Sequence, residues 1–514
     1  MLRNQRRFRT GALLATLALA LAAPSAAWAG GSGEKNGRFE AGAPGVGDPY
    51  YPLYGNGGYQ ARHYTLDIKY DPASNHLDGR ATIYATATND LFRFNLDLVG
   101  LTVNSITVNG KSAEWSRTEH ELIITPQRKL KDSEYFTVAI NYGGVPKTFQ
   151  LPGTNLETGF MHTDDGAVVA GQPQVAAAWY PVNDHPLDKA SYSFNVAVPA
   201  GLEAISNGRL LDTVTENGWS TWKWLATEPM ASYLATATIG QFELRKYTTD
   251  QGLPAIDAID PDLGDLAKNA ITKEDEVLAF LETQFGGYPF HALGGIVDDY
   301  EKLGFALENQ TRPIYAEGFF EKGDNPGEVF VIAHELAHQW AGDSSSVYYW
   351  KDLWLNEGFA TYAEWLWSEH THNESAQKIF DFYYVQPEDR GYWSPPPGDP
   401  GKEHLFDSSV YTRSAMTLHA LRMTIGDEDF FDLLKAWFEQ QQGGNHKTSE
   451  FIALAEKVSG QQLDELFNDW LFEEGKPSYP GGSQAAPQAS TMSAQDPPLA
   501  VRSLHERVES GHRF

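Results

Sequence analysis

The stretch VIAHELAHQWAG, Val331 to Gly342, restricts this chain more than any other. Asn325, Pro326 and Glu328 ahead of it read as a helix start: a capping side chain, a proline at the first position and a first-turn acid. Gly342 reads as the stop. Between them Val329, Phe330, Val331, Ile332, Ala333, Leu336, Ala337 and Trp340 cover most of the circumference, which is the pattern of a buried helix. His334, Glu335, His338 and Gln339 form one narrow polar stripe along it. Buried polar and charged groups are costly unless something satisfies them, so the fold must bring partners to that stripe.

The spacing indicates which partners. His334 and His338 are four residues apart and lie on one face, one turn apart. Two imidazoles so placed reach one ion at the roughly 2.0–2.1 Å that zinc takes from nitrogen. Glu335 lies about 100° further round the helix, off the ligand line and placed to take a proton from a water, which is the chemistry of HExxH on a helix. Two histidines hydrogen-bonded within a core are the alternative. A catalytic zinc site also needs a third ligand and an open position. Glu357 is the candidate, after eighteen intervening residues beyond His338, at the start of the next helical run, WLNEGFATYAEWLW. A favourable first-turn acid is its alternative. Glu364 falls seven residues further on the same face and suits an acceptor that orients a ligand histidine. The chain has no cysteine, so disulfides are excluded and a metal must be held by nitrogen and oxygen.

With 514 residues, two or three domains are expected. Residues 1–29 carry a basic start, a short apolar run (GALLATLALALAA) and AWA at the end, the pattern of a secretory signal peptide cleaved near Ala29. An exported protein is therefore expected, secreted or periplasmic, with no membrane span after cleavage. Residues 30–45 read as a linker. From 46 to 246 the periodicity is two, as in YTLDIKY, ATIYATA, YFTVAINY, YSFNVAV and SYLATATI, with a hairpin turn at Asn109-Gly110. This half is expected to be an antiparallel β domain. From 247 to 480 helical spacing dominates, with HALGGIVDDY and GFALENQTRPIY as short strands of a small sheet. Residues 481–514 read as a flexible tail. The formal net charge is −29, which argues against nucleic acid or an anionic membrane as partner.

HELAHQWAGD and WLNEGFATYAEW together resemble the zinc block of the gluzincin aminopeptidases, the M1 family of zinc metallopeptidases. FALEN, Phe305 to Asn309, resembles the family's glycine-x-methionine-glutamate-asparagine segment, with Phe305 and Leu307 in place of glycine and methionine. VYTRSAMTLHAL resembles its catalytic-tyrosine block, with Arg413 and Ser414 where lysine and glycine are common. GQPQVAAAWYPVNDHPLDKASY resembles its substrate-pocket segment in the β domain, although Ala177 stands near the place of a usual arginine. The resemblance covers about residues 50–480, without the large C-terminal helical domain of many relatives.

The resemblance implies an α+β architecture: the antiparallel β domain, then a mainly helical thermolysin-like zinc peptidase domain with a small sheet. It implies one zinc ion on His334, His338 and Glu357, Glu335 as the proton-transfer group, and Tyr411 as a catalytic phenol. It implies substrate binding by Ala306, Glu308, Asn309 and Gln172, and peptides with a free N-terminus as partners. Each residue keeps a plainer alternative: Glu308 as a structural acid paired with Arg312, Tyr411 as a core aromatic, Gln172 as a surface glutamine. Two other functions fit the same motifs, a leukotriene-hydrolase-like epoxide hydrolase with aminopeptidase activity and a non-catalytic binding protein.

Overall fold

In the computed structural model, residues 39–151, 154–320, 327–482, 486–487 and 497–502 are described. The signal-peptide and most of the linker and tail expectations, with Asn325 and Pro326 of the helix start, lie outside them.

Alternating burial builds the N-terminal half. Tyr64, Leu66, Ile68 and Tyr70 point into the core from the strand Tyr59–Asp71, while Arg62, Asp67 and Lys69 point out. That strand lies inside an eight-stranded sheet whose order is Arg209–Glu216, Trp219–Met230, Ala190–Pro199, Tyr59–Asp71, His76–Ala87, Tyr135–Gly144, Thr102–Val108 and Lys111–Ser112. Pairing in it is antiparallel except where Ala190–Pro199 runs parallel to Tyr59–Asp71. Asn109 and Gly110 both take positive φ between paired Val108 and Lys111, as the hairpin reading requires. Smaller sheets of four and five strands complete this half.

SYLATATI departs from the expected strand. Ser232–Leu234 is a single 3₁₀ turn and the strand starts only at Ala237. The cause is the buried Asn207 side chain. It donates to Leu234 O and accepts from the Thr236 N–H, taking backbone groups that a sheet ladder would otherwise use.

A second five-stranded sheet opens the helical half, in the order Glu243–Thr248, Pro254–Ile259, Ile296–Asp298, Ile314–Ala316 and Ala306–Leu307. It begins a few residues ahead of the expected change at 247. Ala306–Leu307 is its edge strand. Helix α1 (Gly327–Ala337) packs against the edge strand of this sheet, α2 (Trp354–His370) packs on α1, and α3 (Ser414–Ile425) packs on α2. Every residue of α1 from Phe330 to Ala337 is buried, and α2 is buried from Trp354 to Ser368. One continuous apolar core runs through both halves. The tail also contributes: Ala500 and Val501 are buried, so this part of the expected flexible segment is packed. No helix among the described residues is long and apolar enough to cross a membrane.

Candidate active site

Helix α1 ends at Ala337, earlier than Gly342, but the chain keeps turning. The His338 N–H still reaches His334 O at 3.2 Å, and the bonds then shift to Gln339 N to Leu336 O and Asp343 N to His338 O. Both histidines therefore stay on one face. Gly342 marks the true break at φ +129°, where a Cβ would press within 3.2 Å of the Asn356 amide and 3.5 Å of His338 Nδ1.

On the facing helix α2, the first-turn Glu357 aims its carboxylate between the two rings. Its Oε2 lies 3.4 Å from His334 Nε2 and 3.3 Å from His338 Nε2. The Nδ1 atoms are committed elsewhere: His334 Nδ1 to Glu364 Oε1 at 2.9 Å and His338 Nδ1 to Ala341 O at 2.8 Å. Each ring is thus fixed with Nδ1 as donor and Nε2 toward Glu357. The three ligand atoms lie within 4.8 Å of one another, and all three residues are buried. The expected ligand set and its supporting glutamate are together. Two imidazole nitrogens and a carboxylate converging on one point are the donor set of a catalytic zinc site. Without an ion, the imidazoles hold the Glu357 carboxyl below its usual range despite burial, and Glu357 and Glu308 raise His338 against the effect of burial.

Glu335 is 1% exposed, and its Oε2 has no hydrogen-bond partner among the described residues. Burial and the neighbouring Glu308 and Glu357 outweigh the two histidines and push its carboxyl up to about 8. One Glu335 oxygen, one Glu308 oxygen and a His338 nitrogen form a second group within 4.8 Å. Glu308 follows the edge strand Ala306–Leu307, where Ala306 pairs with Tyr315. Its Oε1 accepts a hydrogen bond from the Tyr233 hydroxyl at 2.8 Å.

Arg312 is not the partner of Glu308. Its guanidinium is spent on backbone carbonyls, donating to Ser206, Gly208, Ile256 and Leu293. That clamp ties the segment after Glu308 to both halves of the molecule. Gln339 closes it from the turn that follows α1: its amide donates to Glu308 O at 3.2 Å and accepts from the Thr311 N–H at 2.7 Å. Thr311 is held at φ +64°, a conformation a β-branched residue adopts only when its surroundings impose it. Asn309, next to Glu308, is fully buried with both amide atoms unpartnered among the described residues.

Tyr411 sits in a π turn, Ser409–Arg413, ahead of α3. Such turns place a side chain where a regular helix would not and are frequent at functional sites. Its ring faces that of His334, with centroids 6.3 Å apart and planes 22° apart. Arg413, in place of the usual lysine, anchors this turn from below by donating to the carbonyls of Trp393, Asp469, Trp470 and Glu473. Ser414 rests on Gly358 of α2, where an added Cβ would meet the Ser414 Cβ at 2.6 Å. Gln172 is half-buried, and no hydrogen bond among the described residues joins it to the histidine–glutamate cluster.

Sequence reasoning missed Tyr233 and gave Gln339 no role. Both act through contacts between distant segments. The only signal for Gln339 was its place on the polar stripe of α1.

Residues 60–234 match the model of the peptidase M1 N-terminal domain and residues 270–470 that of the peptidase family M1 domain. The chain belongs to peptidase family M1. Among curated M1 relatives it is 27% identical over 445 residues to a probable aminopeptidase 2 of Sulfurisphaera tokodaii, covering 80% of this chain and 54% of that protein. It is 28% identical to the glutamyl aminopeptidase of Rattus norvegicus, over 62% of this chain and 36% of that one. The chain thus spans about half of the first relative and about a third of the second. A solved M1 zinc metallopeptidase from Deinococcus radiodurans superposes with a TM-score of 0.76 at 29% identity, covering 85% of this chain and 99% of that one. A mutant of the Deinococcus enzyme bound to a Tyr-Ser-Ala substrate gives a TM-score of 0.78.

Proposed function

We propose that this M1 peptidase is an exported zinc aminopeptidase that removes N-terminal residues from peptides. The observation that carries the reading is the junction of two donor groups at His338: the zinc set with Glu357 on one side, and Glu308 with Glu335 on the other. A proton-transfer group and an acid suited to an ammonium thus flank one metal position.

His334, His338 and Glu357 would hold the ion. When bound, zinc supplies a Lewis acid for the peptide carbonyl and lowers the pKa of a coordinated water. Glu335, off the ligand line and with a free oxygen, takes the proton of the attacking water and returns it to the leaving amine. Its burial, with one oxygen unpartnered among the described residues, suits both halves of that task. Tyr411 donates its hydroxyl to the oxyanion of the tetrahedral intermediate. Glu308, oriented by Tyr233 and clamped through Gln339, accepts the substrate ammonium, and Asn309 adds an amide beside it. The edge strand at Ala306 offers backbone to an extended peptide. Gln172 would reach the amino end from the β half. The Tyr-Ser-Ala ligand of the Deinococcus relative supports a short peptide as substrate. Export rests on the N-terminal 29-residue pattern.

The test is release of product from aminoacyl p-nitroanilides by zinc-loaded protein, with free and acetylated amines compared. Cleavage confined to free amines is expected. Equal cleavage of both forms would rule out an aminopeptidase, and cleavage of neither would rule out a peptidase of this type.

A further inference from the structure

Two segments meet at the Glu308 carboxylate. One is the single turn Ser232–Leu234 of the β half, which carries Tyr233. The other runs from Glu308 to Arg312 and is buried throughout. They touch through the hydrogen bond from the Tyr233 hydroxyl to Glu308 Oε1 at 2.8 Å. A third segment holds both: the turn Asn207–Gly208, between the strands Glu203–Ser206 and Arg209–Glu216. We infer that Asn207 is a positioning residue for the amino end of the substrate, setting the Tyr233–Glu308 bond by fixing the backbone on each side of it. The inference rests on Glu308 as the acceptor of the substrate ammonium.

Asn207 is fully buried. Its Nδ2 donates to Leu234 O and to Gln310 O, both at 2.8 Å. Its Oδ1 accepts from the Thr236 N–H at 2.9 Å. Leu234 is the residue after Tyr233, and Gln310 is the second residue after Glu308. Both donors of one planar amide are thus spent on two different segments, so the plane cannot turn without breaking a bond to one of them. Leu234 and Thr236 alone would satisfy a donor and the acceptor of Asn207 within its own half. The bond to Gln310 O is the one that leaves that half, and it ends beside Glu308.

The residues flanking Asn207 keep the turn from drifting. Ser206 Oγ donates to Thr236 O at 2.6 Å, and Ser206 O accepts from Arg312 Nε at 3.3 Å. The Gly208 N–H donates to Thr311 Oγ1 at 2.8 Å, and Gly208 O accepts from Arg312 Nη2 at 3.0 Å. Gly208 lies at φ +78°, and a Cβ there would stand 2.1 Å from Leu225 O, so the turn is pressed onto the strand Trp219–Met230. The positive φ of Thr311 is imposed from two sides, by Gly208 at its hydroxyl and by Gln339 at its N–H.

This matters for the substrate because Tyr233 and Glu308 belong to different halves of the molecule. Their bond aims the carboxylate only while the two backbones keep their spacing. A misplacement of about 1 Å is enough to cost a positioned group most of its effect. Asn207 is the side chain that spans that spacing.

The experiment is a double-mutant cycle in zinc-loaded protein, read as kinetics on one tripeptide with a free and with an acetylated amine. Asn207→Asp keeps the shape and the acceptor for Thr236 but sets a carboxyl oxygen against two carbonyls. Asn207→Ser is too short to span them, and Tyr233→Phe removes the hydroxyl. Each is expected to raise KM for the free-amine peptide at least about tenfold, with kcat, zinc content and kcat/KM on the acetylated peptide within about twofold of the unmodified protein. Adding Tyr233→Phe to either Asn207 variant should raise KM by less than about threefold more, since both changes act on one bond. Unchanged KM in Tyr233→Phe or in both Asn207 variants, fully multiplicative losses in the double variants, an equal fall on both substrate forms, or failure of both Asn207 variants to fold overturns the inference and leaves Asn207 a residue of the fold alone. No preference for the free amine in the unmodified protein would instead overturn the reading of Glu308.

Discussion

Glu364 Oε1 accepts a hydrogen bond from His334 Nδ1 at 2.9 Å, two turns along the helix that supplies Glu357. One helix thus delivers a ligand and also the acceptor that aims another ligand. A fixed tautomer and a more basic ring are what such an acceptor gives a metal-binding histidine. Glu364→Ala is expected to weaken zinc binding by about 10–100-fold, with Glu364→Gln intermediate. Chelator competition measures it, and unchanged affinity in both variants would leave Glu364 a packing residue.

Glu308 should govern recognition of the amino end. Glu308→Ala is expected to lower kcat/KM on free-amine peptides by at least about a hundredfold, since the loss strands a buried charged group. Turnover of acetylated peptides, already slow, should not fall. Parallel kinetics on both substrate forms read this directly; an equal fall on both would assign Glu308 to the fold.

Tyr411 should act on the reaction rather than on binding. Loss of one oxyanion donor costs about 10²–10³ in kcat. Tyr411→Phe keeps the ring against His334, so KM, zinc content and thermal stability should stay close to those of the unmodified protein. A change confined to KM would contradict the role.

His419 supplies a stability prediction. It lies buried on α3, its Nδ1 beside the Tyr362 hydroxyl at 2.9 Å and its Nε2 beside Gln377 Oε1 at 3.2 Å, a pattern that suits the neutral ring. Burial, with the Arg422 charge adding to it, lowers its pKa to about 3. Below about pH 6.5 the unfolded chain binds a proton that the folded chain refuses, so stability falls as pH drops through that range. This one group should cost about 2–3 kcal/mol between pH 7.5 and 4.5. Denaturant unfolding of His419→Gln at both values should show a shallower acid loss; an identical slope would place the titrating group elsewhere.

The metal set was legible because it is local. His334, Glu335 and His338 sit within five residues, and helical geometry alone fixes their relation. Glu357 and Glu364 followed from one further helix. The β half was legible where alternation was clean, as in Tyr59–Asp71, and failed at Ser232–Leu234, where a side chain from a distant turn captured the backbone. The support of Glu308 was not legible for the same reason. Tyr233 and Gln339 reach it or its backbone across the fold, and Arg312 pins the segment that follows it, through contacts that no periodicity encodes. The π turn at Tyr411 was likewise hidden, because the run from Tyr411 to Gly426 has ordinary helical spacing.

The proposed function divides labour within one helical turn: His334 and His338 would bind the ion and Glu335 would transfer the proton. Glu335→Gln, reconstituted with zinc and measured for metal content and peptide turnover on the same sample, tests it most directly. One equivalent of zinc with kcat lowered by at least about 10²–10⁴ is the predicted result. Loss of that equivalent would make Glu335 a ligand, and retained turnover with zinc in place would remove it from the chemistry.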